Sequence, residues 1–361
     1  MNRDRLVSQS KAALLMALCA VLVVTGVGAV SAQGNYSVAI LVVDDFGSVD
    51  LATLDPGQFD AADSCTISLE GQAYAVRGVS ATPLAQSHGD LVYQELELLL
   101  GDIGANNFIV LIPVEIQGVS TEVAAQRIAT AIEDHPADFY VINMSFAIIP
   151  CEYLQAFAEY DAQLMDSRKA KNENRYRNLF QRAVIFYNDT VFPAMSRRAQ
   201  NLQNLDPLQT LFASLGNRAI PVAAAGNFGL DFPFWPGAWS QVVSVSASKG
   251  QGFHASPAWD KKSDAPLLDA EVERPGKKKR ISNYGEVMMP GEYSSPSGPL
   301  SGTSFAAPRL SVALAVYLSA VGPNNCRNAN GGPALAYGDW DNLTLQQAAQ
   351  QYCPDLLPYL P

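Results

Sequence analysis

Histidine is scarce in this chain. The 361 residues hold three, His88, His135 and His254, so chemistry that needs an imidazole base has few candidates. Positive charge is also short. Twenty-four Lys and Arg stand against 35 Asp and Glu, a net charge of −11. That deficit excludes a broad basic face and argues against nucleic-acid partners. There is no internal repeat, which excludes a repeat array. No acidic spacing matches a calcium loop, so the residues themselves assign no metal and no cofactor. Cysteine is limited to five residues. One of them, Cys19, falls in an apolar N-terminal run.

That run reads as a targeting segment. Arg3, Arg5 and Lys11 precede the uncharged stretch Ala12–Val30, and Val30-Ser31-Ala32 offers small residues for a cut before Gln33. The expectation is a signal peptide over 1–32, with an uncleaved N-terminal membrane anchor as the alternative. The protein is therefore expected to be secreted or extracytoplasmic, touching a membrane only if the segment is retained. Four cysteines then remain, Cys65, Cys151, Cys326 and Cys353. An even count in an exported chain suggests disulfides. Cys326 with Cys353 is the preferred pair, because both flank the final segment, and Cys65 with Cys151 follows.

The rest of the chain alternates between two patterns. Asn35–Val43, Phe108–Ile116, Asp138–Met144, Ala219–Ala225 and Gln241–Ala247 are apolar and rich in β-branched residues. Such runs fit strands buried on both faces. Cys65–Leu69 and Ala73–Val79 read as shorter strands. Leu91–Leu100 and a helix capped by Ser120 or Thr121 and running to Ile132 lie between them. This order predicts an α/β fold: a mostly parallel, doubly wound sheet with helices on both faces. Residues 33–361 are expected to form one domain, with insertions at about 153–215 and 250–280 and a tail at about 322–361. The first insertion reads as helices outside the sheet. The second, with Lys277-Lys278-Lys279-Arg280, reads as a solvated loop. Asp44, Asp45 and Ser145 fall at carboxyl ends of strands, where such sheets place their sites.

Ser304 stands in Gly302-Thr303-Ser304-Phe305-Ala306-Ala307-Pro308, just before an apolar helix. Taken alone it is either a helix cap or a nucleophile whose oxyanion the helix N-terminus would stabilise. Among possible bases, His135 sits in a surface turn and His254 in the long insertion. His88 precedes a glycine and an apolar helix, and is the best candidate.

The order of motifs VVDDFG, SHGDLV, YVINMSF, PVAAAGN, ISNYGEVMMPG and LSGTSFAAP resembles the subtilisin-like serine proteases, and spans Val38 to about Leu318. The resemblance implies a three-layer α/β/α fold and an exported serine endopeptidase acting on polypeptides. Ser304 would be the nucleophile and His88 the base. Asp44 would orient His88, since it directly follows the strand; Asp45, which keeps the spacing to Gly47, is the alternative. Asn227 would donate to the oxyanion, and Ser145 with Phe146 would line the substrate cleft. Calcium is common in the family, although no site for it can be assigned.

The sequence departs from the family pattern in places. The glycines expected after Ser145, against which a peptide strand would lie, are replaced by Phe146-Ala147-Ile148-Ile149-Pro150. Few residues separate the expected cut from the first strand, so the usual propeptide is missing from the reading. Two other functions therefore stand beside the peptidase. One is an inactive subtilisin-fold binding protein, the other a serine esterase or transacylase on the same residues.

Overall fold

The computed structural model describes residues 35–47, 64–68, 86–151, 206–227, 232–248, 282–295, 298–323, 326, 333–335 and 341–360. The expected targeting segment, the strand expected over 73–79, most of the 153–215 range, and the 250–280 range with His254 lie outside them. In chain order the elements are β1 (Val38–Asp44), β2 (Ser64–Ile67), α1 (His88–Asp102), β3 (Ile109–Glu115), α2 (Thr121–Asp134), β4 (Phe139–Met144) and β5 (Ala147–Pro150). Then come α3 (Pro207–Leu215), β6 (Ala219–Ala224), β7 (Val243–Ser248), β8 (Val287–Pro290), β9 (Glu292–Ser295), β10 (Gly298–Ser301), α4 (Thr303–Val321), β11 (Leu343–Thr344) and α5 (Leu345–Tyr352).

Seven strands form one sheet in the order β11-β8-β7-β6-β4-β1-β3. Every neighbouring pair is parallel, so the α/β expectation holds. β1 shows why its sequence lacks alternation. Val38, Ile40 and Val42 pack into one layer with α1 and α4, while Ala39, Leu41 and Val43 pack into the other with α2 and α3. A strand covered on both faces has no polar side to display.

β3 corrects one expectation. Its run reads as fully buried, yet β3 is the edge of the sheet and Val110 is 57% exposed. Pro113, also exposed, is tolerated there because an edge strand has an N–H row that need not pair. Helix α3 falls at the end of the 153–215 range. Leu208 and Phe212 are buried on it, and it leads straight into β6 as an ordinary crossover. Asp206 caps it through the Leu208 N–H at 2.9 Å, with Pro207 at the first helical position.

Helix α4 is apolar all round because it is buried all round. Its 19 residues are long and apolar enough to cross a membrane, but it packs against β1, β4, β6, β7 and β8 in the core. Cys65 pairs with Cys151 and Cys326 with Cys353. The first bond joins β2 to the end of β5, and the second ties the segment after α4 to the end of α5.

The sheet has a switch point. From β1 the chain moves out to β3, then returns across β1 to β4 and continues the other way to β6, β7 and β8. The connections diverge at the carboxyl ends of β1 and β4, the place where sheets of this kind hold their sites. Asp44 ends β1, and Ser145 follows β4.

Candidate active site

Helix α1 begins at His88, and its start is fixed locally. Ser87 Oγ accepts the Asp90 N–H at 3.1 Å, and the Asp90 carboxylate accepts the Ser87 N–H at 3.1 Å. This capping box satisfies two otherwise orphan donors. The helix start is also fixed to β1. The Gly89 N–H donates to the Asp45 carbonyl at 2.6 Å, and a Cβ on Gly89 would stand 2.5 Å from that same oxygen. Only glycine allows this approach, which sets His88 beside the end of β1.

His88 Nδ1 lies 2.7 Å from Asp44 Oδ1, with both side chains buried. Oδ1 also accepts the Asp45 N–H at 2.7 Å and the Ser68 hydroxyl at 2.8 Å. A carboxylate on Nδ1 keeps the ring proton there and leaves Nε2 as the basic nitrogen. Asp45 turns elsewhere. Its Oδ1 accepts the Gly47 N–H at 2.7 Å. Burial pushes the Asp45 carboxyl up to about 6, against that hydrogen bond, with Glu115 and Asp44 adding repulsion. His135 is exposed at the end of α2.

Ser304 is the second residue of α4, and it is buried. Pro308 lies four residues on. Having no N–H, it cannot donate to the Ser304 carbonyl as a regular helix residue would. The Ser145 hydroxyl donates to that oxygen instead, at 3.2 Å. The end of β4 is thereby joined to the start of α4. Asn143 strengthens the join, its Oδ1 accepting the Ser311 hydroxyl at 2.9 Å. Phe146 is buried in the layer beneath β5, alongside Phe234 and Trp235.

Asn227 follows β6. Its Oδ1 accepts both the Thr303 N–H at 2.9 Å and the Thr303 hydroxyl at 3.1 Å. With its oxygen so occupied, the amide nitrogen faces Gly302, where a Cβ would meet Nδ2 at 3.2 Å. Gly226 makes the turn possible. Its φ is +105°, and a Cβ would stand 2.6 Å from Asn283 Nδ2. Asn283 braces the same turn, its Nδ2 donating to the Ala225 carbonyl at 2.9 Å and its N–H to the Gly226 carbonyl at 2.8 Å.

Helices α1 and α4 pack together near their starts. The Phe305 ring lies 6.3 Å from that of His88 and is stacked on Tyr293 at 5.3 Å. Deeper, Arg309 on α4 meets Glu95 on α1 at 2.7 Å, with both side chains buried, and also donates to the Glu292 carbonyl at 2.9 Å. Sequence reasoning missed Ser68, Asn143, Asn283 and this ion pair. Asn283 lies inside the ISNYGEVMMPG motif and was legible there. Ser68, Glu95 and Arg309 carry no local signal.

The sequence profile of the subtilase family matches residues 103–332, which include Ser145, Asn227 and Ser304. Solved structures with similarity include the prenylagaramide maturation protease PagA, at 17% identity over 92% of this chain and 97% of that one, with a TM-score of 0.42. The patellamide maturation protease PatA aligns at 18% identity over 90% and 98%, with a TM-score of 0.39. A cold adapted subtilisin-like serine proteinase aligns at 16% identity over 81% and 80%, with a TM-score of 0.35. No curated protein matches. The profile covers well over half of the sequence, and the chain belongs to the subtilase family.

Proposed function

We propose that the protein is an exported serine endopeptidase that cleaves polypeptides through an acyl-enzyme on Ser304. The observation that carries this reading is the buried His88–Asp44 pair, 2.7 Å apart, at the start of a helix packed against the helix whose first turn holds Ser304. In this scheme the Ser304 hydroxyl attacks the peptide carbonyl while His88 Nε2 takes its proton. The C–O bond forms and the carbonyl oxygen becomes an oxyanion, held by Asn227 Nδ2 and the Ser304 N–H. Collapse breaks the C–N bond, and His88 returns the proton to the departing amine. Water repeats the sequence to release the acid. Asp44 holds the imidazole in one tautomer and stabilises its charged form. Two disulfides suit an oxidising compartment, which supports export.

A fluorophosphonate probe is expected to label Ser304, as read by peptide mapping, and to lose its target in Ser304→Ala and His88→Ala. Labelling of another serine, or persistent labelling of Ser304→Ala, refutes the assignment. Asn227→Ala is expected to lower kcat by about 10²–10³ with little change in KM, since its amide would act on charge that develops only in the transition state. Steady-state hydrolysis of p-nitrophenyl acetate measures this, and an unchanged kcat counts against the oxyanion role.

A further inference from the structure

An extended peptide binds by adding a strand to an exposed edge, where its main chain finds hydrogen-bond partners. Beside Ser304 the backbone edge for this purpose is β5, which begins just after Ser145. Both of its sides are taken. On one side the Ile148 N–H donates to the Trp235 carbonyl at 2.8 Å. On the other, β2 of the same chain pairs antiparallel to it, with Ile67 opposite Ala147 and Cys65 opposite Ile149.

β2 is itself paired on both edges. The Thr66 N–H donates to the Val119 carbonyl at 2.9 Å, and the Gly118 N–H donates to the Thr66 carbonyl at 3.1 Å. A bridge joins Cys65 to Ser120. β2 thus lies as a central strand between β5 and the turn after β3. Its direction carries its end toward the reacting groups. Ser68, next in the chain, donates its hydroxyl to Asp44 at 2.8 Å, while its N–H is taken by Gln117 Oε1 at 2.8 Å. The Cys65–Cys151 bond fastens β2 to the end of β5.

We propose that β2 is a resident strand in the acyl side of the cleft, keeping the disulfide-bonded protein latent toward extended polypeptides while Ser304 remains reactive to small acyl donors. This rests on the reading of Ser304 as nucleophile. An arriving peptide strand and β2 would compete for the same edge of β5, so extended substrates gain access only when β2 leaves it.

The test compares two substrates, p-nitrophenyl acetate and fluorescently quenched casein, on the native protein and on Cys65→Ser/Cys151→Ser. The double variant is expected to cleave casein at least about tenfold faster, as β2 loses its covalent tie to β5 and can be displaced from that edge, with ester hydrolysis little changed. If the double variant unfolds, Ile67→Pro carries the same expectation with the bond kept: the Thr66 N–H is turned to Val119, so by strand alternation the Ile67 N–H is the donor turned toward Ala147 of β5. Equal casein-to-ester ratios in native and variant proteins overturn the proposal. A readout without turnover separates it from the catalytic reading: anisotropy of a fluorescein-tagged casein peptide on Ser304→Ala. Binding that appears only when the cysteine pair is replaced supports the resident strand even if no probe labels Ser304. Equal binding with and without the pair overturns it.

Discussion

Asp44→Asn is expected to lower kcat by about 10⁴, with KM for a small ester little changed. Asp45→Asn is expected to cost less than about tenfold. The two residues are neighbours in the chain, but their carboxyl groups do different work. Asp44 Oδ1 meets His88 Nδ1 at 2.7 Å, whereas Asp45 Oδ1 accepts the Gly47 N–H. An amide at position 44 can present its NH₂ to Nδ1, which moves the ring proton to Nε2 and removes the base. An amide at 45 still offers Oδ1 to Gly47. Stability separates the pair further. Because burial raises the Asp45 carboxyl to about 6, its ionisation in the folded state is resisted. That penalty starts as pH climbs past the ordinary value of 3.8 and is complete above about 6. Asp45→Asn should therefore gain stability relative to the native protein across that window, then keep a constant advantage. Stopped assays for kcat, and urea unfolding at several pH values on a Ser304→Ala background, check both parts. A tenfold or larger loss from Asp45→Asn alone, with Asp44→Asn active, reverses the assignment.

Arg309→Met is expected to destabilise the fold by about 3–5 kcal/mol once the pH is well above 8 and Glu95 is ionised in the native protein. Arg309 and Glu95 lie on different helices, 2.7 Å apart and out of water. Burial pushes the Glu95 carboxyl up, to about 8, while the Arg309 charge pulls it down. Its charge is also felt by the Tyr293 phenol, which is raised first by burial and then by Glu95. Without Arg309 the acid is buried with no counter-charge and resists ionisation more strongly. Its folded value then rises still further above about 8, so the deficit is flat at lower pH, where both folded proteins hold Glu95 protonated, and grows as pH climbs past about 8. The double variant Glu95→Leu/Arg309→Met should recover most of the loss, since an apolar pair of similar volume fills the space. Urea midpoints at about pH 6 and about pH 10 read the effect. A deficit that is independent of pH, or no rescue in the double variant, removes the ion pair from the account.

Much of the fold is legible in the chain because the sheet is buried on both faces. β1, β4 and β6 are largely apolar runs, and such runs stand out; β7 alternates Val and Ala with serines that are buried as well. β8 and β11 do not. β8 is four residues long and ends in proline, and β11 has two residues. Neither carries a periodic signal of its own, and each is held by its parallel neighbour. His88 is readable because competitors are few. The choice between Asp44 and Asp45 stays open in the sequence because both stand at the strand end, and only the geometry at His88 distinguishes them. The Phe146–Pro150 stretch shows the opposite problem. Its missing glycines point to an altered cleft, but not to the identity of its neighbour. That neighbour is β2, some eighty residues earlier, and pairing at such a distance leaves no local trace. Glu95 and Arg309 are invisible for the same reason: each is an ordinary polar residue until two helices meet.

The strand order has a bearing on when this molecule can act. Asp44 and His88 belong to the first quarter of the sequence, and Ser304 to the last fifth. Helix α4 cannot dock until β1, β4, β6, β7 and β8 exist to receive it. Contacts this distant in sequence are slow to form and come late in folding. A nascent chain that has emerged only through α1 holds Asp44 and His88 without Ser304. The topology is thus a timing device: the site that we propose to be hydrolytic is completed only when α4 docks on the formed sheet.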